Sequence, residues 1–334
     1  MLKEKKTHKR LFVANMPYID MHCDTITRLL SDEQNGQEAS LRHNNLHVDL
    51  QKLKSGDCLI QNFAIFTSVK QVEDPLVYAL KAIDKYKREM CANQDLIKPI
   101  LRFDDIDNTK LNALLTIEDA SIIKGDLALL NILYDLGVRM LGLNWNYITD
   151  IGYPNINCED NALDITKVDK ENGLTAFGKY VVKKAQRLGM IVDVSHLSDK
   201  GFWDVYNISD KPFVASHSNT RSICNVARNL DDEMISALNY RRGVMGLNFC
   251  EDFISKTGSI EDLVAHVLHI KKVSGLDVLA LGSDFDGIPN RKELKDASQM
   301  NELQRALKDN GLTTEEIDKI FYRNALRVYE EILK

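Results

Sequence analysis

Short apolar runs rich in β-formers alternate with longer runs whose apolar residues recur every three or four positions. Tyr18 to Asp24 (YIDMHCD) reads as a first strand and Leu59 to Phe66 as a second. Leu111 to Glu118 (LNALLTIE), Val138 to Asn144, Met190 to Val194, Pro212 to Ser216, Gly243 to Phe249 and Val278 to Ser283 extend the series to eight. Helical periodicity fills 76–91, 127–136, 174–188 and 260–273, with Gly189 placed to cap the third of these. A polar segment at about 147–172 interrupts the pattern, and the chain from about 298 predicts two or three more helices. Strands separated by helical crossovers pair in parallel. Eight of them, with right-handed crossovers, predict an α/β protein folded as a closed (β/α)8 TIM barrel rather than an open doubly wound sheet. No linker divides the chain, so residues 1–334 are expected to form one domain, and no glycine-rich phosphate loop follows any strand.

Composition narrows the class. Hydrophobic residues make up 44% of the 334 and charged residues 28%, which supplies enough apolar surface to fold and excludes a disordered chain. The net charge of −6 argues against a nucleic-acid partner, which calls for a basic stripe. The N-terminal lysines read as a solvated end. Only Leu11 to Ala14 follow them as an apolar run, too short for a secretory signal, and nothing approaches the ~20 apolar residues of a membrane span. A cytoplasmic location without a membrane partner is therefore expected. Six cysteines lie scattered with no C-x-x-C pair and are expected to be free thiols.

Barrel active sites form at the C-terminal ends of the strands, so the residues found there carry the chemistry. Strand one ends Asp20-Met-His22-Cys-Asp24, and alternation would set Asp20, His22 and Asp24 on one face with Met21 and Cys23 on the other. Strand three ends in Glu118-Asp119, strand five in Asp193-Val-Ser195-His196, strand six in Ser216-His217-Ser218, and strand eight in Gly282-Ser-Asp284-Phe-Asp286-Gly287. Three histidines at strand ends, each beside a carboxylate or hydroxyl, point to a metal site. His22, Asp24, Glu118, His196 and His217 exceed the three protein ligands of a single catalytic zinc. A pair of ions bridged by the two oxygens of Glu118 accommodates them. Asp284 is then the surplus carboxylate, suited to move a proton as general base and acid. Asp20 reads as an orienting partner and Asp286 as a supporting or turn residue. His43, His47, His266 and His269 read as packing or solvated side chains.

In this order and register the motifs Asp20-x-His22-x-Asp24, Ile117-Glu118, Asp193-x-Ser195-His196, Ser216-His217-Ser218, Arg228-Asn229 and Gly-Ser-Asp284-Phe-Asp-Gly resemble the renal (membrane) dipeptidase family of metallopeptidases. The resemblance runs from about residue 17 to 331. It implies an amidohydrolase-type barrel, two zinc ions per chain, a small dipeptide as substrate, tolerance of a C-terminal D-residue, and a homodimer. It also implies that His22 and Asp24 hold one zinc, His196 and His217 the other, with Glu118 between them. Asp284 falls on the family's acid/base and Arg228 on an arginine that holds the substrate.

Two positions depart from the family pattern. Its better-known members place a histidine, within Thr-His-Asn, where this chain has Leu143-Asn144-Trp145-Asn146, so Trp145 becomes a candidate substrate-binding wall. Where Asn-Phe-Tyr is common, this chain reads Asn248-Phe249-Cys250. The expected function is a zinc-dependent dipeptidase. The alternatives are an amidohydrolase for another small amide (a lactam or an N-acyl amino acid) on the same two-metal site, and, from another class, a non-catalytic binding protein.

Overall fold

The structure is a computed structural model and describes residues 17–159 and 164–334. The expectation for the N-terminal lysines lies outside the described residues. Among the described residues nine strands form one parallel sheet: β1 Tyr18–Asp20, β2 Cys58–Phe66, β3 Ile97–Pro99, β4 Leu111–Glu118, β5 Val138–Gly142, β6 Ile191–Asp193, β7 Val214–Ala215, β8 Val244–Leu247 and β9 Leu279–Leu281. All but β3 close into a barrel, because β2 pairs with both β1 and β4, and β1 pairs with β9. β3 was not read in the sequence. It is short, ends in a proline, and pairs only with the first residues of β4.

Side-chain alternation sorts the core into two layers. Along β4, Ala113, Leu115 and Ile117 pack outward against the helices while Leu114 points into the barrel. The same parity carries Glu118 inward at the C-terminal rim, level with Phe66 of β2. Ile19, Ile60, Met140, Ile191, Val214, Val244 and Ala280 fill the interior beneath. The bottom is closed by the helix Asn324–Ile332, whose Ala325, Val328, Tyr329 and Ile332 join that interior cluster. Its Tyr329 hydroxyl donates to Asn62 Oδ1 at 2.9 Å.

Helices cover the outside, and their starts are capped by side chains: Asp74, Thr175, Ser198, Asp231 and Ser259 each accept a first-turn N–H, worth ~1 kcal/mol apiece. Gly189 ends the helix Ala176–Leu188 in the left-handed conformation, φ +86°, as expected. Near the rim the interior is glycine. A Cβ on Gly282 would stand 1.8 Å from the Ser216 carbonyl oxygen, so only glycine lets the β7 and β9 ends approach this closely.

All six cysteines are free. Among the described residues no helix is long and apolar enough to cross a membrane.

Candidate active site

Glu118 is the centre of the rim cluster. Its Oε2 lies 3.3 Å from His22 Nε2, and its Oε1 lies 3.1 Å from His196 Nε2 and 3.7 Å from His217 Nε2. His22 Nε2 is also 3.5 Å from Asp24 Oδ2 and 4.0 Å from Asp284 Oδ1. The His196 and His217 Nε2 atoms stand 3.1 Å apart, and the rings of His22 and His217 stack at 3.8 Å. One glutamate oxygen thus faces the His22–Asp24 group and the other faces the His196–His217 group. Six residues at or just beyond the C-terminal ends of β1, β4, β6, β7 and β9 meet within one small volume.

Asp20 stays out of it. The strand ends at Asp20, and the alternation expected through Asp24 stops short: Met21 packs into the interior with Ile19, but Cys23 packs in the outer layer against the helices. The Asp20 carboxylate instead accepts from the His22 N–H, Gln61 Nε2, and the Ser283 N–H and hydroxyl. It clamps the end of β1 to that of β9 and so sets His22 beside Asp284.

Hydrogen bonds fix the imidazole tautomers. His196 Nδ1 donates to Asn146 Oδ1 at 2.8 Å, which leaves Nε2 as a lone pair aimed at Glu118. The Ser216 hydroxyl donates to Asp193 and therefore accepts from His217 Nδ1 at 2.7 Å, which leaves His217 Nε2 in the same state. Burial holds both rings neutral, assisted at His196 by the nearby Arg228 charge and at His217 by His22 and Arg228; His196 falls to about 4. His22 is drawn up against its burial by Glu118 and Asp24. Burial and the Glu118 charge raise Asp24 to about 6. Asp284 is pushed up to about 7 by burial; His22 opposes the rise, while the Asp24 and Glu118 charges add to it.

Buried lone pairs facing one another are costly unless a cation gathers them. The buried His22 Nε2 and Asp24 Oδ1 have no hydrogen-bond partner, and His22–Glu118–His217 and His22–Asp24–Asp284 are each spaced to share an ion. The donor set of imidazole nitrogens and carboxylate oxygens fits zinc and comparable divalent ions.

Backbone strain is concentrated here. Asp119, His196, Asp284 and Asp286 adopt φ of +82°, +71°, +65° and +69°, conformations that cost of order 1–3 kcal/mol each. Gly287 completes the turn, where a Cβ would lie 2.2 Å from Asp24 Oδ2 and 2.6 Å from Asp284 Oδ1.

A cavity of about 350 Å³ opens above the cluster. Asp24, Glu118, His196 and Asp284 reach its floor; Phe66, Trp145, Phe253 and Ile288 supply apolar wall. Trp145 packs on Phe66 and Tyr147 with ring centres 5.0 and 5.2 Å away, and its indole N–H has no acceptor among the described residues. Cys250 lines the same wall, its thiol raised to about 12 by burial and the Asp284 charge. Arg228 does not line the cavity. It is buried beneath, donating through Nη2 to the His217 carbonyl and through Nη1 to Ser218 Oγ, with Nε unpartnered and its guanidinium 5.8 Å from the Phe253 ring.

Three residues were not read in the sequence. Asn146 holds His196. Asn248 Nδ2 donates to Asp284 Oδ2 at 3.0 Å. Gly287 leaves room for two carboxylates. Asn146 and Asn248 stood inside quoted motifs, but nothing local shows what they face.

The family model of membrane dipeptidase (peptidase family M19) matches residues 6–334. The chain belongs to this family. Membership makes it a peptide-bond hydrolase of metallopeptidase type. An uncharacterised dipeptidase of Schizosaccharomyces pombe is 32% identical over 306 residues, 85% of this chain and 72% of that one. Among solved structures, a metallopeptidase named dipeptidase AC is 27% identical with a TM-score of 0.86, covering 95% of this chain and 99% of its own. A Rhodobacter sphaeroides metallopeptidase, liganded with a phosphinate mimic of the dipeptide L-Ala-D-Ala, is 26% identical with a TM-score of 0.85 over the same shares.

Proposed function

We propose that this membrane dipeptidase relative is a zinc-dependent dipeptidase holding two ions per chain. The observation that carries this is Glu118, whose two oxygens face two separate donor groups. His22 and Asp24 would hold one ion, His196 and His217 the other, and Glu118 would join them. When bound, the ions lower the pKa of a water and polarise the scissile carbonyl.

The chain's own residues do the rest. Asp284 Oδ2 is oriented by Asn248 Nδ2, leaving Oδ1 toward His22 to hold the proton removed from the attacking water. It then passes that proton to the departing amine nitrogen. The buried Arg228 charge, next to Phe253 on the cavity wall, attracts the C-terminal carboxylate of the substrate and favours a chain that ends there. Trp145 and Phe66 exclude water from one side and pack on a substrate side chain. The L-Ala-D-Ala mimic bound by the Rhodobacter neighbour supports acceptance of a C-terminal D-residue.

Trp145 favours a second substrate class, because it widens the apolar wall: an N-acyl amino acid or a lactam cleaved at the same site. A panel of L,L and L,D dipeptides, N-acetyl amino acids and a lactam separates the two. Hydrolysis confined to dipeptides is expected, and faster turnover of N-acetyl amino acids or the lactam would replace the dipeptidase proposal. Trp145→Phe keeps the wall and removes the N–H, so most of kcat should survive. A loss on the scale of an oxyanion donor, ~10²–10³ in kcat with zinc retained, would make the indole N–H catalytic instead.

A further inference from the structure

Arg28 stands on the wall of the active-site cavity without a task in the fold. It lies in the first turn of the helix Thr25–Gln34, four residues after Asp24, so the two share a helix face and Arg28 sits ~6 Å further along the axis. It is exposed and lines the cavity, and its guanidinium forms no ion pair or hydrogen bond among the described residues.

The carboxylates around it are otherwise engaged. Asp24 and Glu118 face His22; Asp284 accepts from Asn248; Asp286 accepts from the Thr25 hydroxyl and the His47 N–H. Neutralising a local acid therefore does not explain Arg28. Around the barrel, β1 and Arg28 lie three strands from β7, which leads into Arg228, with β9 and β8 between. The two cations therefore lie at different places around the cavity, Arg28 on its wall and Arg228 buried beneath it. If Arg228 attracts the C-terminal carboxylate, Arg28 faces the N-terminal residue of the substrate. A side-chain carboxylate on that residue is three or four bonds from the scissile carbon, ~4–6 Å, which matches the distance from Asp24 up one helical turn.

We propose that Arg28 is a specificity-determining residue that selects dipeptides with an acidic N-terminal side chain, pairing its guanidinium with that carboxylate. The inference rests on the dipeptidase proposal and names the substrate class of the same site.

The test compares L-Glu-L-Ala, L-Gln-L-Ala and L-Ala-L-Glu in the zinc-loaded protein, with calorimetric binding of the phosphinate analogues of Glu-Ala and Gln-Ala beside the kinetics. A charge-assisted contact predicts a preference for Glu-Ala over Gln-Ala of about tenfold, expressed in KM and in analogue affinity rather than in kcat. Arg28→Gln should bring that ratio close to one, and Arg28→Lys should restore part of it. A ratio near one in the wild type, or a preference unchanged in Arg28→Gln, overturns the proposal. Arg28-dependent preference for Ala-Glu overturns the assignment to the N-terminal residue. Failure to hydrolyse any of the three dipeptides defeats the dipeptidase proposal itself, and this inference with it.

Discussion

At the scale of single residues, the site depends on groups held in protonation states that water would not give them. Asp284 is raised to about 7 chiefly by burial, so it sits where a proton is readily taken and returned near neutral pH. Asp284→Asn should lose ~10²–10⁴ in kcat while zinc content stays the same. Retention of more than a tenth of wild-type turnover would remove Asp284 from the proton path. The tautomer of His196 depends on Asn146 accepting its Nδ1 proton. Asn146→Leu keeps the volume and deletes the acceptor, so zinc affinity should fall by ~10–100-fold in equilibrium dialysis. Unchanged affinity would show that Asn146 does not set the ring.

The same scale explains what the sequence made legible. His22, Asp24, Glu118, His196, His217 and Asp284 could be picked out because each ends a strand or follows one within four residues, and strand ends of a barrel converge. Their partners could not. Asn146 meets His196 across 50 residues and Asn248 meets Asp284 across 36, and neither pairing leaves a local pattern. Arg228 was visible as a motif, but its place beneath the floor depends on how the chain turns after β7.

At the scale of elements, β4 matched its expected bounds because alternation persists over all of Leu111–Glu118. β1 did not, because the strand stops at Asp20 once its carboxylate engages Ser283 and Gln61. The helix Asn324–Ile332 was expected, but its role as the barrel floor was not, since an amphipathic pattern says nothing of which surface it covers.

The β9 turn carries a sharp prediction. Gly287→Ala should fold, yet force Asp24 and Asp284 apart, so activity and metal affinity should fall together; a fully active alanine variant would mean the turn relaxes freely.

The helix Ile260–Ser274 carries another. Its buried His266 accepts the Thr220 N–H on Nδ1 and donates from Nε2 to the Ile254 carbonyl, leaving no place for a second proton. Burial lowers it from 6.5 to about 4. Above the unfolded value the neutral ring suits both states and its full contribution is present. As pH falls toward the folded value, the unfolded chain takes up a proton that the fold refuses, and stability declines by at most ~3 kcal/mol. His266→Gln should therefore lose less melting temperature than the wild type between about pH 7 and pH 5. Equal losses would exclude His266 as a source of acid sensitivity.

At the scale of the whole molecule, the barrel divides its labour along its axis. The lower end is closed by apolar packing of the C-terminal helix, while the rim stores strain at Asp119, His196, Asp284 and Asp286. Such strain persists where the surrounding fold over-determines it, and here the closed sheet and the Asp20 clamp supply that constraint. Family membership, the rim cluster and the cavity above it point to the same chemistry from independent directions. The most direct test is a zinc titration of chelator-treated protein, following hydrolysis of L-Ala-D-Ala. Two donor groups joined by Glu118 predict negligible activity without metal and a rise that ends at two equivalents per chain. Full activity in the chelated protein, or a plateau at one equivalent, would contradict the two-ion site.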